Sequence, residues 1–152
     1  MLHIILFEPE IPPNTGNIAR LCACTDHHLH LVHPLGFSID AKQVRRAGLD
    51  YWQHLQLSEH DNWEALKASF PQDQRFWALS TKASQSIWQT QFEDGDALVL
   101  GPETRGLPAN ILEDIQGIKI PMRDNAPVRS LNLSNACAVV IYEAMRQIEV
   151  SS

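Results

Sequence analysis

At 152 residues, with 44% apolar and 20% charged side chains, the chain fits one globular domain with a real core, not a disordered polymer. Its longest apolar run, Ala136 to Ile141, is too short to cross a bilayer, and Glu8 and Glu10 interrupt the apolar N-terminus. Neither a membrane span nor a signal peptide is expected, and a net charge of −6 restricts any nucleic-acid contact to a local basic face.

In chain order, Leu2 to Phe7 reads as a short buried strand that ends at the turn-rich stretch Glu8 to Gly16. A helix follows to about Cys24, with Asn14 or Thr15 as its cap. Leu29 to Val32 is a second strand, and Ala41 to Ala47 a short basic helix stopped by Gly48. Asn62 to Phe70 is an amphipathic helix that places Trp63, Leu66 and Phe70 on one face before Pro71. Arg75 to Leu79 and Ala97 to Gly101 are strands, and Pro108 opens a helix at its first turn. Ile118 to Ile120 is a further strand, and a long helix runs from about Ser134 to Ile148.

Strands that alternate with helices, and that lack polar alternation, indicate an α/β fold: a mainly parallel sheet with helices on both faces. No linker divides the chain, so residues 1–152 form one domain. The last helix has no polar face from Ala136 to Ile141, which predicts burial on more than one side: either it is central to the core or it also packs against a second subunit, and for a chain of this size the dimer is the preferred reading.

Cys22, Cys24 and Cys137 fit a reducing cytoplasm and read as buried small hydrophobes. Two residues apart on a helix, Cys22 and Cys24 point to opposite sides and cannot share a metal. His27, His28, His30 and His33 crowd one segment, and His28 and His30 share a strand face. A zinc site needs further ligands at suitable spacing, and none is evident, so surface histidines beside a strand are expected.

Three loops each follow an apolar strand, the place where open α/β sheets bind ligands. The first is Pro12 to Arg20, where Gly16 allows close approach and Arg20 projects from the polar side of the helix. The second, Leu98 to Pro108, combines Gly101, Gly106 and a Glu103/Arg105 pair, and it lacks the spacing of a phosphate-binding P-loop or a dinucleotide fingerprint. In the third, Ser130, Asn132, Ser134 and Asn135 precede the long helix. One of the four caps it, and the excess suggests a polar pocket at a helix N-terminus.

Asn14-Thr15-Gly16-Asn17-Ile18-Ala19-Arg20, Gly101-Pro102-Glu103-Thr104-Arg105-Gly106-Leu107, and Ile120-Pro121-Met122 with Ser130-Leu131-Asn132-Leu133-Ser134-Asn135-Ala136 resemble the three motifs of the SPOUT RNA methyltransferases, in order. The openings Phe7 to Asn17 and Arg45 to Tyr51 are similar to those of the tRNA wobble-nucleotide 2′-O-methyltransferases within that superfamily. The resemblance implies a C-terminal trefoil knot, S-adenosylmethionine as cofactor without a metal, tRNA as substrate, and a homodimer whose subunits share each active site. It implies catalytic roles for Asn14, Arg20, Glu103, Ser130 and Asn132, with Glu103 orienting Arg20 or Arg105. It further implies cofactor contacts from Leu79, Gly101, Ile120, Ser130 and Leu131. Lys42, Arg45 and Arg46, with Arg105 and Arg129 nearer the site, are the expected tRNA contacts.

Overall fold

The computed structural model describes residues 1–39 and 52–152. The expected basic helix from Ala41 to Ala47, with Lys42, Arg45 and Arg46, lies outside the described residues. The strands are β1 (His3–Phe7), β2 (His28–Val32), β3 (Leu57–His60), β4 (Phe76–Leu79), β5 (Ala97–Leu100) and β6 (Gln116–Ile118). The helices among the described residues are α1 (Pro12–Thr25), α2 (Trp63–Ala68), α3 (Ala109–Asp114) and α4 (Leu133–Ser151). Single 3₁₀ turns occupy Trp52–His54 and Ile87–Gln89.

The six strands form one sheet in the order β3-β2-β1-β5-β4-β6, and every pairing is parallel. The period of two along each strand divides the core. On one face, Ile4, Leu6, Leu29, Leu31, Leu98 and Leu100 pack against Ile18 and Cys22 of α1 and Cys137, Val140 and Ile141 of α4. On the other, Ile5, Phe7, Val32 and Val99 pack against Trp63 and Leu66 of α2 and Ile111 of α3. Burial on both faces explains why β5, Ala97-Leu98-Val99-Leu100, is apolar throughout.

Several local expectations shift. Helix α1 begins at Pro12, with Ile11 as N-cap and no side-chain cap, so Asn14 and Thr15 lie inside the helix and do not cap it. Pro12 and Pro13 start it because the first turn needs no intrahelical N–H. Strand β3 is an edge strand of sequence Leu57-Ser58-Glu59-His60, too polar to read as a buried run. The last strand lies at Gln116–Ile118, two residues earlier than expected, and Pro108 is the N-cap of α3. Cys24 is exposed, unlike Cys22 and Cys137. Helix α4 buries one face, while Val139 and Tyr142 remain 42% and 57% exposed. Two of the four clustered histidines are not surface groups either: His27 and His30 are buried, with Nδ1 of His27 accepting the backbone N–H of Leu2, whereas the His33 side chain is 41% exposed.

The amino ends of β4 and β5 are fixed by one buried acid. The Asp96 carboxylate accepts the indole N–H of Trp77 at 2.9 Å and the backbone N–H of Glu93 at 2.9 Å, and it pairs with Arg75 at 2.8 Å. Asp96→Ala leaves two donors without their acceptor. We expect a loss of about 1–3 kcal/mol in unfolding free energy by urea denaturation, with Asp96→Asn retaining part of it.

Candidate active site

The carboxyl ends of β4 and β5 open into a cavity of ≈ 390 Å³. Leu79 and Ser80 line it from the end of β4, and Gly101 to Glu103 with Arg105 to Leu107 from the loop after β5. Ile120 and Met122 follow β6, and Ser130 to Leu133 lead into α4. Ile11 and Asn14 reach it from the start of α1. The volume lies within the roughly 300–1,000 Å³ of small-molecule sites, and the wall mixes apolar side chains with a few polar groups.

The loop after β5 is folded tightly on itself. A Cβ on Gly101 would lie 2.5 Å from the backbone nitrogen of Leu107 and 2.6 Å from the carbonyl carbon of Gly106. Gly106 has φ +70° and donates its N–H to the Pro102 carbonyl at 3.0 Å. Only glycine at position 101 permits this approach, and the left-handed turn at Gly106 sustains it.

A reciprocal clasp joins this loop to the start of α1. The Glu103 carboxylate accepts the backbone N–H of Glu10 at 2.7 Å and of Ile11 at 3.2 Å. The Glu10 carboxylate accepts the backbone N–H of Thr104 at 2.9 Å and its hydroxyl at 2.8 Å. These bonds from Thr104, with the nearby Arg105 guanidinium, lower the Glu10 pKa below the usual carboxylate range. Within this chain Glu103 therefore holds backbone. Arg105 pairs instead with Glu8 at 3.3 Å and Glu10 at 4.0 Å.

At the other wall, Asn132 caps α4: its side-chain oxygen accepts the Ser134 N–H at 3.0 Å and the Ser134 hydroxyl at 2.6 Å. The nineteen-residue helix thus directs its N-terminus at the cavity, a polarity that favours negative charge. Of the expected site residues, Asn14, Leu79, Gly101, Glu103, Arg105, Ile120, Ser130, Leu131 and Asn132 come together here. Arg20 does not line the cavity: it is exposed on α1, six residues beyond the buried Asn14. Arg129 is exposed and donates to the Asp124 carbonyl at 2.7 Å, outside the lining. Sequence reasoning missed Ser80, Thr81 and Lys82, which follow β4 at the mouth of the cavity. Their position at a strand's carboxyl end was the available signal.

Residues 1–142 match the model of the SpoU rRNA Methylase family. A protein of Saccharophagus degradans named tRNA (cytidine(34)-2′-O)-methyltransferase is 53% identical, over 97% of this chain and 96% of its own. A solved structure described as giving insights into the 2-OH methylation of C/U34 on tRNA superposes with a TM-score of 0.93 at 46% identity, covering 97% and 95% of the two chains. An AdoMet-bound rRNA methyltransferase from Sinorhizobium meliloti, 20% identical, shares the fold with a TM-score of 0.84 over 95% of this chain and 56% of that one.

The two loop glycines should respond differently to a methyl group. Gly101→Ala drives a Cβ into backbone and is expected to cost about 1–3 kcal/mol. Gly106→Ala meets no atom within 4 Å, so its cost is the left-handed conformation alone, roughly 1–2 kcal/mol. Chemical denaturation gives both values, and heteronuclear NMR spectra should show the cavity loops rearranged only in Gly101→Ala.

Proposed function

Because the chain belongs to the SpoU rRNA methylase family, a family of methyltransferases, we propose that it transfers the methyl group of S-adenosylmethionine to the ribose 2′-hydroxyl of tRNA nucleotide 34, a cytidine or modified uridine. The observation that carries this reading is the meeting of all three sequence motifs in one cavity. Near-complete alignment with a relative named for that reaction supports the choice of nucleotide.

The residues present fit the cofactor. Leu79, Ile120 and Leu131 offer apolar walls to an adenosine, Gly101 brings the main chain within reach, and Ser130 adds a hydroxyl. When bound, S-adenosylmethionine supplies a methyl carbon on a sulfonium, a good leaving group. Asn14, Ser130 and Asn132 hold the ribose so that its 2′-oxygen faces that carbon. Arg20, through its guanidinium, stabilises negative charge developing on the 2′-oxygen or grips the adjacent phosphate. Positioning of this kind supplies about 7–11 kcal/mol, against roughly 3–5 kcal/mol for a general base worth 10²–10⁴ in rate. Alignment therefore outweighs the identity of the proton acceptor.

The active form is a homodimer. Arg20 is exposed and outside the lining of its own cavity, and α4 leaves Val139 and Tyr142 uncovered beside α1, with which it packs. Joining these faces covers the apolar stripe and carries Arg20 to the cavity of the second copy. The segment after Ile120 follows the trefoil knot of the superfamily, which sets Ser130 to Asn132 against the loop after β5. Lys42, Arg45, Arg46, Arg105 and Arg129 contact tRNA phosphates, with binding weakened by salt. Cytoplasmic tRNA is the accessible substrate.

Methyl transfer from labelled S-adenosylmethionine to bulk tRNA, followed by nucleoside mass spectrometry, tests the reading. A 2′-O-methylated nucleotide 34 is expected; a methylated ribose elsewhere would move the target and keep the chemistry. Arg20→Ala should lower transfer by about 10²–10³-fold while cofactor affinity, measured by calorimetry, stays near that of the parent. Glu103→Ala should also lose transfer, by about 10²-fold through misplacement. Mixing the two variants should restore part of the activity, because a mixed dimer contains one intact composite site. No recovery on mixing would contradict the shared site.

A further inference from the structure

The opposite end of the same sheet carries a second cluster that methyl transfer does not use. His3 begins β1, His28 begins β2, and His30 follows on the same face, with His60 on β3 beyond it. Parallel register sets His3 beside His28 and His30 beside Ser58. Nδ1 of His3 lies 3.1 Å from Nε2 of His30. One ligand nitrogen from each of His3, His28 and His30 falls within 4.8 Å of the others. The rings of His28 and His30 stack with centroids 4.0 Å apart, and Phe70 packs edge-on against His3 at 4.9 Å.

We propose that His3, His28 and His30 form a binding site for a borderline divalent transition-metal cation of the zinc type, separate from the methyl-transfer cavity.

Three features of the cluster support this. The first is the donor set: all three ligands are imidazoles, which suit zinc, copper and nickel and not calcium or magnesium. The second is spacing. Two nitrogens on a tetrahedral ion with bonds near 2.0–2.1 Å stand about 3.3 Å apart, so the His3–His30 nitrogen pair needs to open only slightly. The third is the outer ring of partners. Nε2 of His28 lies 2.8 Å from the Ser58 hydroxyl, and Nδ1 of His30 lies 3.0 Å from Nε2 of His60. Metal-bound histidines are oriented in this way, through the nitrogen that faces away from the ion. With Ser58 holding Nε2 of His28, its Nδ1 is the nitrogen left for an ion.

Ligation uses the neutral imidazole, which offers a lone pair on one ring nitrogen and keeps its proton on the other. Binding changes no proton count. The N–H shared between His3 and His30 is relocated so that each ring keeps one proton on its outward nitrogen: Nε2 of His3, Nε2 of His28 toward Ser58, and Nδ1 of His30 toward His60. The ion would then tie β1 to β2 directly and β3 through Ser58 and His60. Its place at the amino ends of β1 and β2 makes it a structural cross-link, and this inference stands whether or not tRNA is the substrate.

Chelator-stripped, full-length protein titrated with Zn²⁺ in a calorimeter, and with Co²⁺ followed by visible absorption, tests the site. One equivalent per chain is expected, with the intense visible bands of low-coordinate Co²⁺ and a rise in thermal midpoint that grows with free metal. His28→Gln, which keeps a polar group for Ser58, should abolish both signals, while His33→Gln and His54→Gln should leave them intact. In the parent protein, ¹⁵N imidazole shifts should move on Zn²⁺ addition for His3, His28 and His30, a readout independent of any variant's folding. No stoichiometric binding, equal binding by His28→Gln, or shifts confined to other histidines would overturn the proposal. Methyl transfer should be unchanged by chelation.

Discussion

The contact between the backbone of Gly101 and that of Leu107 is the constraint from which the cavity follows. A parallel sheet delivers every strand's carboxyl end to one edge, but it does not decide how the following loops lie. Here the loop after β5 folds back so closely on its first residue that only glycine fits there. That turn presents Glu103 and Thr104 to the chain leaving β1, where the clasp with Glu10 and Ile11 fixes the entry of α1. Asn14 is buried at the wall as a consequence, in the first turn of the helix. The two loops are 93 residues apart in sequence, yet each satisfies the other's backbone donors.

The same clasp bears on how an acidic chain could accept the anionic substrate proposed for it. The charged groups that line the cavity are Lys82, Arg105 and Glu103. The negative charge of Glu103 is directed at two backbone N–H groups, and the N-terminus of α4 adds positive potential. Much of the acid sits elsewhere and is matched there: Asp96 and Glu93 by Arg75, Asp94 by the N-terminal amine, Asp114 by Lys67, and Glu143 by Arg146. At the mouth Arg105 is matched by Glu8 and Glu10, and of the chain's net charge of −6 the acid matched elsewhere is screened beyond about 10 Å at moderate salt.

How far the sequence was legible depended on what each signal measures. Apolar runs marked β1, β2, β4 and β5 because buried parallel strands need them on both faces. Strand β3 escaped because an edge strand with Ser58, Glu59 and His60 carries no such run. Pro12, Pro13 and Gly16 suggested a loop, although the prolines suit a helix start and Gly16 sits buried within α1. The residues around the cavity were found through motif resemblance, and Gly101 has a clear physical reason in the backbone contact. The partner of Glu103 could not be read, since a carboxylate beside an arginine in sequence looks like an ion pair until the fold supplies two N–H groups.

The histidines show the limit most clearly. Spacing along one chain segment offered only His28 and His30, and a third ligand was sought nearby in sequence. Register supplied it from β1, where His3 stands opposite His28 across a parallel pairing that spans 25 residues. Parallel strands are joined through crossovers, so neighbours in the sheet are remote in the chain and local spacing cannot report them. The two ends of the sheet therefore differ in how they are encoded. The carboxyl ends use contiguous loop motifs, which survive as strings of residues. The amino ends use single residues from separate strands, which become a cluster only once the order β3-β2-β1 is set. Tying those strands together at one end would leave the loops at the other end free to close on a ligand without disturbing the register beneath them.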